Sequence, residues 1–169
     1  DVRSRLRSAP VQPASPSWDV KVREHTSDTS QPLTARPFYV VQWSLFITGE
    51  TYSVDMVFLA ANGWGGSSYT GTRAAAPFPI LDTILDAINL EDSDEPGVTM
   101  GPLDVFWSVN NTLTGERDFE DGRLPTTFYS SNPDGDFTRN PSLFLLGDAE
   151  GRVPDSTIDT DEFDRGTIA

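Results

Sequence analysis

Cysteine is absent from this 169-residue sequence, which excludes disulfide frameworks, thiolate catalysis and Cys-based zinc sites. Histidine occurs once, as His25, so these residues cannot supply two or three imidazole ligands to a metal. No apolar run reaches the roughly 18 to 20 residues of a membrane span. Basic side chains are few, 12 against 26 acidic ones, giving a formal net charge of -14. A surface of that sign repels phosphate backbones and argues against a nucleic-acid partner. No charged-plus-apolar leader opens the chain.

What is present suffices for a core. Hydrophobic residues at 37% and aromatics at 11% are too many for a disordered acidic tail. The length suits one domain or two small ones.

The first part reads as β-structure. Val2, Ser4 and Leu6 alternate with Arg3, Arg5 and Arg7, and Trp18, Val20 and Val22 alternate with Asp19, Lys21 and Arg23; both patterns have the period of a half-buried strand. A Pro/Ser loop over residues 9–17 lies between them. Phe38 to Thr48, the turn at Gly49 and Glu50, and Tyr52 to Ala60 read as a hairpin. Together these elements predict an antiparallel, sandwich-like β-module over residues 1–61. Residues 62–79 form a Gly/Ala/Pro-rich linker or surface loop and a helix lead-in. No Walker lysine follows the glycines, so the loop is not expected to cradle phosphate.

Residues 80–169 change character to α+β. Ile80, Leu81, Ile84, Leu85 and Ile88 form a wide apolar helical stripe with Asp82 and Asp86 on the outer side. Pro79 suits its first turn, and the stretch from Glu91 to Gly97 ends it. Strands are expected at Leu103 to Val109, Leu124 to Tyr129 and Ser142 to Leu146. Asp159 with Glu162 resembles a capping box, opening a last helix whose apolar face is Phe163, Thr167 and Ile168. That face is expected to need neighbours beyond Ala169, so both ends of the sequence read as cut.

Few residues suggest chemistry by themselves. Asp159, Asp161, Glu162 and Asp164 crowd six positions. They read either as oxygen ligands for calcium or as acids favouring a helix N-terminus. Asn132, Asp134 and Asp136 open like an EF-hand loop, but Phe137 and Leu143 occupy its glycine and glutamate positions, so that reading fails. His25, in a polar loop beside Glu24, reads as a solvated surface histidine. Asn110-Asn111-Thr112 matches a glycosylation acceptor, a frequent chance match. No Gly-x-Ser-x-Gly elbow is present.

Several segments occur in an order that resembles one family. They are the run from Gly63 to Asp82, Val105-Phe-Trp-Ser-Val-Asn110, Leu143-Phe-Leu-Leu-Gly-Asp148, Asp159-Thr-Asp-Glu-Phe-Asp164 and Thr167-Ile-Ala169. Over residues 60–169 the sequence looks like the N-terminal part of large bacterial secreted zinc metalloproteases of the His-Glu-x-x-His, zincin type. The resemblance implies a support helix from Ile80 behind a zincin-like sheet. It implies a substrate-binding edge strand at Leu143, Phe144, Leu145 and Leu146, and an active-site helix beginning between Asp159 and Ala169. The zinc motif would follow Ala169 directly, so zinc is implied while its ligands lie outside these residues.

The expected function is therefore that of the non-catalytic N-terminal portion of an extracellular metallopeptidase, inactive alone and partnered by the rest of its own polypeptide. A second reading is an extracellular structural or adhesive β-rich subunit, joining neighbouring subunits in a fibre or surface layer. A third is a calcium-stabilised carbohydrate- or protein-binding module. All three place the chain outside the cell or on its surface.

Overall fold

A computed structural model of the chain describes residues 19–40, 61–96, 101–115, 118, 120–131, 140–149 and 160–169. The expected strand at Val2 to Arg7, most of the hairpin from Phe38 to Ala60, and the turn at Asn132 to Asp136 lie outside these residues.

The alternation read around Val20 becomes β1, Val20–Glu24. The chain then passes through a 3-10 turn at Leu33–Ala35 and, after residues 61–76, enters α1, Pro77–Asp94. Strands β2 (Leu103–Trp107), β3 (Thr112–Leu113), β4 (Arg123–Leu124), β5 (Phe128–Ser130) and β6 (Ser142–Leu145) follow. A short helix α2, Arg165–Ile168, comes last. The class is α+β, as the order of strands and helices in the second half predicts, and the main sheet is mixed.

The main sheet has the order β1-β2-β6-β5. β1, β2 and β6 run parallel, and β5 runs antiparallel to β6. Two expectations are corrected by this order. β1, assigned by pattern to an antiparallel module, instead pairs in parallel with β2 from Val20↔Leu103 to Glu24↔Trp107. The segment Leu143 to Leu146 was expected to be an edge. Its strand β6 is hydrogen-bonded on both sides, to β2 and to β5, so it offers no free ladder to a peptide.

Strand alternation sorts the core into two layers. Val22, Val105, Trp107, Leu143 and Leu145 face Ile80, Ile84 and Ile88 of α1. Those three isoleucines sit one helical turn apart, and each contributes about 1.5–3 kcal/mol through burial. Pro77 and Pro79 stand in the first turn, where no backbone donor is required. The opposite layer holds Phe106, Phe144, Leu33, Leu124 and Leu146. There Phe106, Phe144 and Phe128 share one register row and stack at 5.0 and 4.9 Å between centroids.

Ile168 is only 6% exposed and belongs to the α1 layer. Phe163 is half-buried and stacks on Tyr69 at 6.3 Å. The expectation that this face needs neighbours beyond Ala169 is therefore corrected for Ile168, which residues of this chain bury, while Phe163 stays half-buried and Thr167 exposed. No helix among the described residues is long and apolar enough to cross a membrane.

Candidate functional site

The polar groups concentrate where the carboxyl ends of β1, β2 and β6 meet residues 61–76 and 160–164. After β6 the chain reaches Gly147, which packs so tightly against the Ser108 carbonyl and the Trp107 indole that a Cβ has no room. Arg73, entering from the lead-in to α1, fills the space above. Its Nη2 donates to the Gly147 carbonyl oxygen and its Nη1 to Glu162 Oε1. The guanidinium lies over the rings of Tyr69, at 4.9 Å, and Trp107, at 5.5 Å.

Both partners of this pair are buried: Arg73 is 5% exposed and Glu162 is 0% exposed. Removal from water pushes the Glu162 carboxyl above the ordinary glutamate range, while Arg73 pulls in the opposite direction. The Trp107 indole also favours the ionised form, but its N–H closes no hydrogen bond, and Glu162 Oε2 has no hydrogen-bond partner. Tyr39 completes the wall. Its hydroxyl donates to the Trp107 carbonyl at 3.4 Å, and burial, with Glu24 adding to it, raises its pKa far above the ordinary tyrosine value.

A second buried polar group lies on the other side of the sheet. His25 is 0% exposed, packed against Phe106 and Phe144 at 5.5 and 5.4 Å. This corrects the expectation of a solvated histidine. Its Nδ1 lies 2.9 Å from Asn111 Oδ1. Asn111 Nδ2 donates to the carbonyl oxygens of Leu145, at 2.7 Å, and Phe106, at 3.4 Å. Carbonyls only accept, so the Asn111 amide orientation is fixed, and His25 Nδ1 must carry the proton. The Asn111 backbone oxygen also accepts from the N–H groups of Gly147 and Asp148. One asparagine thereby ties β2, β6 and the turn after β6 together.

The described acids of the cluster, Asp161, Glu162 and Asp164, each take a different partner. Asp161 accepts from the Thr127 hydroxyl, and Glu162 accepts from Arg73. Asp164 Oδ1 accepts from the backbone N–H groups of Gly166 and Thr167, at 2.9 and 3.3 Å. Those bonds hold its carboxyl below the usual range, with the Thr167 hydroxyl the largest contributor. Asp164 is thus the N-cap of α2, which corrects the capping box read at Asp159 and Glu162. Asp159 lies outside the described residues. Among the described residues, no group of three or more His, Cys, Asp or Glu side chains could hold a metal ion.

Sequence reasoning missed Arg73, His25 and Asn111. Arg73 stands in a Gly/Ala-rich stretch that carries no periodic signal. The one available hint was its position as the sole charge between Ala61 and Leu81. In chemical terms the site is a buried ion pair, and among the described residues no nucleophile is set against a base in it. No family model, curated protein or solved structure matches the chain.

Proposed function

We propose that the chain is the N-terminal, substrate-supporting portion of a zincin-type extracellular metallopeptidase, whose zinc-binding residues lie in sequence that follows Ala169. The observation that carries this reading is the order of the sheet. Among the described residues, three parallel strands are followed by one antiparallel strand, α1 crosses the face behind them, and the chain leaves β6 for a capped helix start at Arg165. A helix behind the sheet and a helix start after the strand at Leu143 to Leu146 are the two features of the resemblance that this order supports; the edge position it implies for that strand is not among them. Among the described residues the outermost strand beside β6 is β5, Phe128–Ser130, not the segment Leu143 to Leu146.

The residues present do not fit a zinc ion. The only histidine is buried and hydrogen-bonded on the opposite layer of the sheet from α1, and no cysteine exists. The role of this chain is therefore positional. The Arg73–Glu162 pair fixes α2 relative to β6 and to the lead-in of α1.

The test uses the parent polypeptide, extended past Ala169. It should retain zinc through gel filtration and cleave an unstructured peptide in a chelator-sensitive manner, while the 169-residue chain does neither. An extended polypeptide that holds no zinc and cleaves nothing contradicts the reading.

A further inference from the structure

Before α1, the chain makes a hairpin-like excursion. Trp64 and Tyr69 form an antiparallel bridge, and the Gly65 N–H donates to the Ser68 carbonyl at 2.8 Å. Asn62 stands exposed at its entry, immediately before Gly63. No other asparagine in the sequence precedes a glycine. Gly63 has φ 79°, and a Cβ there would fall 2.6 Å from the Gly71 oxygen and 2.8 Å from Arg73 Cγ. Conformation and space both require glycine. The Asn62 Oδ1 accepts from the Trp64 backbone N–H at 3.0 Å, an Asx turn that folds the side-chain carbonyl back along the following backbone.

The geometry points to Asn62 as a site of spontaneous deamidation and isoaspartate formation. The Gly63 nitrogen attacks Asn62 Cγ; a C–N bond forms, that nitrogen loses its proton, and the Cγ–Nδ2 bond breaks as ammonia leaves. Water then opens the resulting five-membered imide at one carbonyl or the other, giving aspartate or isoaspartate. Water is the only co-reactant, and nothing is oxidised or reduced. The Trp64 N–H already bound to Oδ1 stabilises the oxyanion that develops there, as backbone donors do in acyl transfer. With no side chain on residue 63, the attacking nitrogen is unobstructed.

The fold gives this change a consequence. The Gly63 carbonyl accepts from Thr70 N–H at 3.0 Å and from Gly71 N–H at 3.2 Å. Isoaspartate adds a methylene to the main chain just ahead of those bonds. The strain reaches Tyr69, whose ring lies under the Arg73 guanidinium and against Phe163. Ageing at Asn62 therefore loosens the excursion from the buried ion pair.

The experiment incubates the full chain in warm, mildly alkaline buffer and follows each asparagine by peptide mapping with electron-transfer fragmentation. Parallel samples hold the chain in urea or carry Asn62→Gln. The expected result is replacement of NH2 by OH at Asn62 before any other asparagine. Isoaspartate should exceed aspartate, the folded chain should react at least as fast as the unfolded one, and the Asn62→Gln chain should show no change at residue 62. Amide exchange at Thr70 and Gly71 should rise in the isoaspartyl form. Modification confined to the urea sample, or an Asn62 that outlasts the other asparagines, overturns the inference.

Discussion

Arg73 and Glu162, 89 residues apart in the chain, close one buried ion pair that joins the lead-in of α1 to the start of α2. The same guanidinium holds the Gly147 carbonyl, so three separate segments meet on one side chain. A Lys at position 73 could not satisfy both acceptors with the same planar fork.

Breaking this pair from one side leaves a charge in the core. Arg73→Met and Glu162→Leu are each expected to cost about 3–5 kcal/mol, whereas the double replacement Arg73→Met with Glu162→Leu should cost markedly less than their sum. Urea denaturation of the four proteins measures the coupling. Additive losses would show that the pair does not act as a unit.

Glu162 also sets a pH dependence. Burial raises its pKa in the folded chain, so its contribution to stability is present below the ordinary glutamate pKa and is lost as pH rises through the higher folded value. Chemical denaturation across that window should show the fall in the native protein. Glu162→Gln should flatten it.

Tyr39 acts at the alkaline end. Its pKa is raised by burial, so the folded chain keeps the hydroxyl neutral where the unfolded chain ionises it. Stability should decline as pH rises past about 10, the ordinary tyrosine value. Tyr39→Phe should remove that decline. An unchanged slope in the variant would mean that another group is responsible.

Asn111 is expected to be the least replaceable polar side chain on the far layer. Asn111→Ala removes the side-chain donor to the Leu145 carbonyl and the acceptor facing His25 Nδ1, at a cost of about 1–3 kcal/mol for each group left unpaired. Nitrogen-15 NMR of the native protein should show a proton on His25 Nδ1. A proton found on Nε2 instead contradicts the assignment.

Much of this architecture was legible in the sequence. The isoleucines of α1 and the apolar runs of β2 and β6 are dictated by period, because burial of one face selects the pattern. Neighbours were not legible. Period reports which face of a strand is covered but not what pairs along its edges, so β1 read as part of another module, and the edge position of β6 came from the family resemblance alone. Buried polar residues were hidden for a related reason. His25 and Glu162 look solvated beside their local neighbours and become core groups only through Asn111 and Arg73, which arrive from 86 and 89 residues away. The cap was misplaced by a few residues because several acids near Asp159 satisfy the same local rule. Asp164 is the one whose side chain meets the helix amides.

The most direct measurement for the functional reading is the sequence of the parent reading frame beyond the codon for Ala169. The account predicts that a His-Glu-x-x-His stretch follows at once, continuing α2. A frame that runs on without that stretch, or a stop codon there with a natural protein of the mass of these residues alone, contradicts it.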